Sequence, residues 1–176
     1  MKFRISDYGF MVKKLNSIGI ELSNLGIQQD AIFASADTIG FSIKPGTLVV
    51  RIRAERDKTS LTLKKKVTTE QSIEHELNIS DIGEMTQILE NLGLKKTVEI
   101  VKQRESARID SLTYCLDTVN ELGCFLEIEV IVEENNEIDK AYAMIMEQAK
   151  RLGLGENDIE KSKYDTLVYN NSKKTK

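Results

Sequence analysis

Two hydrophobic periods divide this chain between them. Apolar residues recur at three- and four-residue spacing at Met11, Leu15 and Ile18, again at Met85, Ile88, Leu89 and Leu92, and again at Ile138, Ala141, Tyr142, Ile145, Ala149 and Leu152. That spacing lines one face of an α-helix. Asp7 and Asp81 stand where N-caps belong, Glu84 completes a capping-box spacing with Asp81, and Gly19, Gly93 and Gly153 stand where helices stop. Three helices are predicted. Elsewhere the alternation has period two, which predicts eight strands at residues 2–6, 21–33, 48–54, 60–67, 71–79, 96–108, 112–118 and 124–133. Many of the connections are too short for a crossover helix, so neighbouring strands pair antiparallel. The expected fold class is α+β, built on one large antiparallel sheet.

The polar face of these strands is unusual in its charge. Arg51 and Arg53 share one strand face; Thr62, Lys64 and Lys66 share the next; Glu74 and Glu76 follow. Lys102 and Arg104 return to basic, with Arg108 on the same face, Asp117 stands alone, and Glu127 and Glu129 close the series. Lys2 and Arg4 also share a face. A solvated outer face accounts for any one such pair, and such pairs are worth little there. Same-sign pairs repeated from strand to strand repel one another unless opposite charge lies between them. A polyanion with its divalent cations supplies that charge: the basic pairs hold phosphate oxygens, and the acidic pairs hold Mg²⁺ or Mn²⁺ through hard oxygen ligands. The apolar faces then turn outward against the helices.

Several segments resemble the CYTH proteins, a family that includes class IV adenylyl cyclases and thiamine- and inorganic-triphosphatases. Gln29-Asp30-Ala31-Ile32-Phe33 is similar to the family's second strand, Leu48-Val49-Val50-Arg51-Ile52-Arg53 to its Leu-Arg-Ile-Arg strand, and Leu61-Thr62-Leu63-Lys64 to its Leu-Thr-x-Lys strand. Glu74-x-Glu76 resembles the end of its Arg-x-Glu-x-Glu strand, with Ser72 in place of the arginine, and Lys102-x-Arg104 resembles its Lys-x-Arg strand. Residues 115–119 with 122–129 resemble its Leu-Asp-x-Val and Leu-Gly-x-Phe-x-Glu-Ile-Glu hairpin. The resemblance implies an eight-stranded antiparallel β-tunnel, closed or nearly so, with helices outside and a triphosphate and divalent metals within. It implies phosphate binding by Lys2, Arg4, Arg51, Arg53, Lys64, Lys66, Lys102 and Arg104, acid/base work by Glu74, Glu76 and Asp117, and metal binding by Glu127 and Glu129. Family members open on Glu-x-Glu-x-Lys, and in Met1-Lys2-Phe3-Arg4 only the lysine corresponds.

Composition narrows the remaining choices. With 176 residues, 40% of them hydrophobic, the chain suits one domain, expected over residues 1–169 with a frayed polar tail at 170–176. A net charge of −3 favours neither nucleic acid nor membrane as a partner. The expected setting is cytoplasmic, in keeping with no apolar run long enough for a span and two cysteines, Cys115 and Cys124, that fall on opposite faces of a hairpin as free thiols. The one histidine, His75, lies on the aliphatic face, so neither a Ser-His-Asp nor a Cys-His constellation can be assembled. Any metal is therefore held by carboxylates. The expected function is metal-dependent chemistry on a triphosphate (ATP, thiamine triphosphate or inorganic triphosphate), most like the class IV cyclases. Triphosphate hydrolysis is the alternative, and a non-catalytic polyphosphate-binding module is a third. Self-association as a homodimer is left open.

Overall fold

A computed structural model describes residues 1–35, 45–67, 72–132 and 137–174. In chain order the elements are β1 (Lys2–Ile5), α1 (Tyr8–Ser17), β2 (Ser23–Ser35), β3 (Leu48–Glu55), β4 (Lys58–Lys66), β5 (Ser72–Asn78), α2 (Ile82–Asn91), β6 (Leu94–Ile109), β7 (Leu112–Val119), β8 (Gly123–Val130), α3 (Ile138–Arg151) and α4 (Tyr164–Lys174). Each predicted strand has its counterpart; the predicted ends at Gln71 and Glu133 lie outside the described residues. The fourth helix is not announced by apolar spacing and takes in Asn170 to Lys174.

Caps end the helices as the sequence implied. The Asp7 and Asp81 carboxylates accept the backbone N–H groups of Phe10 and Glu84 at 2.8 and 2.9 Å. Gly19, Gly93 and Gly153 take φ of 82°, 83° and 80° just beyond α1, α2 and α3, a left-handed conformation that glycine adopts without a Cβ clash. Asp81→Ala is expected to lower stability by about 1 kcal/mol, read from a chemical denaturation midpoint, because one helix-end donor loses its acceptor.

The strands form one eight-stranded antiparallel sheet in the order β1-β8-β7-β6-β2-β3-β4-β5. It is not closed: among the described residues the edge strands β1 and β5 do not pair with each other. The chain divides into two compact units, Met1–Gly26 with Lys102–Ser162, and Ile27–Val101 with Lys163–Lys176. In the first, the apolar sides of β1, β7 and β8 bury Phe3, Leu112, Tyr114, Leu116, Leu126 and Ile128. They pack with Met11 and Leu15 of α1 and Ile145, Met146 and Ala149 of α3. In the second, Phe33, Val50 and Ile52 pack with Leu89 of α2. Strand alternation therefore turns the charged sides of both sets of strands away from the helices that cover them. No helix among the described residues is long and apolar enough to cross a membrane.

Candidate functional site

In the first unit, register places the charged residues opposite one another. Arg104 faces Asp117 across β6 and β7, Cys115 faces Glu127 across β7 and β8, and Lys2 faces Glu127 across β1 and β8. The Asp117 carboxylate is wholly buried and takes a two-pronged bond from Arg104, Nε to Oδ1 at 2.6 Å and Nη2 to Oδ2 at 2.5 Å, with Lys102 Nζ at 3.3 Å. Arg104 Nη2 also donates to Glu127 at 2.5 Å. Burial opposes the charge on Arg104, but these carboxylates outweigh it and hold the guanidinium above its ordinary pKa. Burial pushes the Cys115 thiol up to about 11, so the group on this face closest in kind to a nucleophile stays protonated near neutrality.

Lys2 and Arg4 flank the buried ring of Phe125, with Lys2 Nζ 5.7 Å and Arg4 Cζ 5.1 Å from its centroid. A C-terminal strap bonds along β1: Glu160 N–H donates to the Lys2 carbonyl at 2.8 Å. Lys2 Nζ donates to the Ser162 carbonyl at 2.5 Å, and Glu160 pairs with Arg4 at 2.7 Å. Burial alone raises the Glu160 carboxyl, but the Ser162 N–H and Arg4 outweigh it and leave the group below the ordinary carboxylate range. A lowered pKa stabilises the fold above the unfolded-state value and ceases to do so as pH falls through the folded-state value. The stability gap between the parent and Glu160→Gln is therefore expected to be full at neutral pH and to close on acidification below about pH 4.5, measured by denaturation at each pH.

The second unit repeats the theme. Asp30 on β2 is buried and holds Arg53 of β3 at two points, Nε to Oδ1 and Nη2 to Oδ2, each 2.6 Å. Arg51 Nη2 reaches Thr62 Oγ1 at 3.0 Å and Glu76 at 3.4 Å, while Thr62 donates to Glu76 at 2.7 Å. Burial, then the neighbouring Arg53, lower the Arg51 pKa, and its Nε–H is buried with no acceptor among the described residues. Lys64 pairs with Glu74 at 2.9 Å, and Lys66 is buried farther along β4, opposite Ser72. His75 lies on the other side of β5, exposed, with Ile73 and Leu77.

Each residue expected to bind phosphate or metal or to do acid/base work thus lies on a charged strand face, in two groups: Lys2, Arg4, Lys102, Arg104, Asp117, Glu127 and Glu129 in one unit, and Arg51, Arg53, Lys64, Lys66, Glu74 and Glu76 in the other. Sequence reasoning gave no role to Asp30 or Glu160. An aspartate in mid-strand, in phase with Gln28 and opposite Ala31 and Phe33, was a usable signal for the first; nothing local marks the second.

No three acidic, cysteine or histidine side chains converge on a metal position among the described residues. Glu127 and Glu129 share one face of β8, and Glu129 is exposed with no ion pair there. One or two carboxylates, with phosphate oxygens and water completing the shell, is the donor set that Mg²⁺ ordinarily takes. The chemistry of these two carboxylates fits such an ion.

A family model described as "CYTH domain" matches residues 1–164. A protein of Methanocaldococcus jannaschii, named as a candidate adenylate cyclase, is 30% identical over 169 residues, covering 93% of this chain and 94% of its own length. Among solved structures, a Pyrococcus horikoshii protein superimposes with TM-score 0.80 at 26% identity over 95% of this chain and 96% of that one. A Hippeastrum protein, described as a candidate adenylyl cyclase with a dominant triphosphatase activity, superimposes with TM-score 0.68 at 18% identity over 98% and 94%, a likeness of fold alone. Since the family model runs through all eight strands and the archaeal relative matches over nearly its whole length, this chain belongs to the CYTH family.

Proposed function

We propose that the protein is a divalent-metal-dependent enzyme acting on a triphosphate, most like a class IV adenylyl cyclase converting ATP to cyclic AMP and pyrophosphate. The observation that carries this reading is Arg104 held at its Nε and Nη2 by Asp117 and Glu127, on the same strand faces as the exposed Glu129. A guanidinium fixed at Nε and Nη2 keeps the two N–H donors of Nη1 for a phosphate oxygen and presents them in a set direction. Lys2, Arg4 and Lys102 add positive charge in the unit that carries Arg104, and Arg51, Arg53, Lys64 and Lys66 form the basic face of the second unit; charge of this kind neutralises a polyphosphate and a departing pyrophosphate as charge develops. Glu127 and Glu129 would hold Mg²⁺ or Mn²⁺, which when bound polarises a phosphoryl oxygen as a Lewis acid. Glu74 and Glu76, both exposed, are carboxylates able to accept the proton of the attacking hydroxyl; Asp117, with both oxygens engaged, serves by holding its two cations.

Attack by the ribose 3′-hydroxyl on the α-phosphorus gives cyclisation, and attack by water on the terminal phosphorus gives hydrolysis. The archaeal relative's name favours the first. The Hippeastrum protein, alike in fold alone, is described with the second activity, so the fold accommodates either. The test is incubation with Mg²⁺ or Mn²⁺ and, separately, ATP, inorganic triphosphate and thiamine triphosphate. Metal-dependent cyclic AMP with pyrophosphate is the expected result. Orthophosphate without cyclic AMP establishes the hydrolase, and binding without product from any substrate overturns the enzyme reading in favour of a binding module.

A further inference from the structure

The geometry points to Asp30 as a positioning residue, which we infer fixes the Arg53 guanidinium for phosphate and so governs turnover more than affinity; this rests on the triphosphate reading above. Asp30 is only 6% exposed, and its two oxygens accept from Arg53 Nε and Nη2 at 2.6 Å each. The two side chains stand directly opposite in the β2–β3 register, both on rigid strands rather than loops. A carboxylate buried this far and bonded at both oxygens is a poor general base, because accepting a proton requires it to break a charge-assisted pair. Its chemistry is to hold the guanidinium plane.

Charge compensation is the second half of the argument. Arg51 and Arg53 lie two residues apart on one strand face, and each disfavours the other's charge. Asp30 acts on Arg51 in the opposite sense, favouring its charge as well as that of Arg53. Replacing Asp30 by asparagine removes that negative charge and turns an amide N–H₂ toward guanidinium donors. Net positive charge on the face rises by one, while Arg53 loses the carboxylate that holds both Nε and Nη2. Affinity for a polyanion is then preserved or raised, whereas the in-line arrangement needed for reaction is not; a displacement of about 1 Å can reduce a rate about a hundredfold. Uniform loss of binding and loss of transition-state stabilisation are separable by comparing KM with kcat.

The experiment uses the full chain with Asp30→Asn and Asp30→Glu. Tripolyphosphate with Mg²⁺ is the calorimetric probe, and turnover is measured on whichever triphosphate the parent consumes. Asp30→Asn is expected to bind tripolyphosphate within about threefold of the parent, or more tightly, while kcat falls about a hundredfold. Asp30→Glu keeps the charge but pushes the guanidinium by a methylene, and a similar fall in kcat is expected. In the parent, an arginine Nε–H resonance protected from exchange is expected and is lost in Asp30→Asn. Parent-like kcat in either folded variant overturns the inference, as does an equal loss in binding and turnover. Should Asp30→Asn fail to fold, Asp30→Glu decides alone. A parent that does not bind tripolyphosphate, or turns over no triphosphate, defeats the enzyme reading and this inference together, and does so before any variant is compared.

Discussion

Glu129→Ala is expected to reduce metal-dependent turnover of a triphosphate at least about a hundredfold with little change in the unfolding midpoint. Even an outer partner of a metal ligand is worth about 10–100-fold in affinity or activity, so a direct carboxylate ligand stands at or above the top of that range. The fold changes little because Glu129 is exposed and, although it favours the charge of the Met1 ammonium, that attraction is weak at the surface. Its removal also relieves repulsion with Glu127 two residues away on the same strand face. Turnover measured across a Mg²⁺ and a Mn²⁺ titration separates lost metal affinity, which excess metal restores, from lost chemistry, which it does not. Equal turnover by parent and variant at every metal concentration sinks the assignment of Glu129 to the metal. Glu127→Ala is the less clean version, since it also frees one side of Arg104.

Arg104→Met is expected to destabilise the protein by about 3 kcal/mol, the scale observed when one member of a buried ion pair is removed and the other stays buried. Asp117 is fully buried, and the substitution deprives it of its two short bonds while Lys102 remains at 3.3 Å. The same change removes the cation bonded to Glu127. Adding Asp117→Asn to Arg104→Met is expected to recover part of the loss, because the second substitution removes the charge that the first left poorly compensated. Denaturation midpoints of both single variants and the double variant complete the cycle. A cost below about 1 kcal/mol for Arg104→Met, with no coupling to Asp117, means the pair is worth no more than a surface ion pair and contradicts its reading as a structural anchor.

Most of the elements were legible because the forces behind them are local. A strand with one buried face shows period two, and a covered helix shows a spacing of three and four. Asp7, Asp81 and the three glycines marked boundaries within a residue or two because a cap depends only on its immediate neighbours. Helix α4 was missed for the same reason in reverse: none of its residues is fully buried, so its sequence carries little contrast between faces. The strap at Glu160 was missed because its partner Arg4 is 156 residues away and no local pattern records a contact of that span.

The charged faces divide along the same line. Parity alone put Arg51 with Arg53, Glu74 with Glu76, Lys102 with Arg104 and Glu127 with Glu129, since alternate side chains of a strand share a side whatever the strand pairs with. From the sequence, like charges on one strand called for an outside ligand to relieve them. Pairing across strands relieves part of that repulsion internally: Glu74 answers Lys64, Glu76 answers Arg51, Asp30 answers Arg53, and Asp117 answers Arg104. Which charge meets which depends on register, and register depends on how distant apolar faces settle against their helices, a choice that a slip of one residue would reverse. By itself the sequence determined the strands, the helices and which residues share a face, because backbone geometry ties those to spacing along the chain. Only the tertiary structure decided which arginines are clamped, which carboxylates pair with them and which aspartates are buried, because those follow from contacts between strands far apart in the chain.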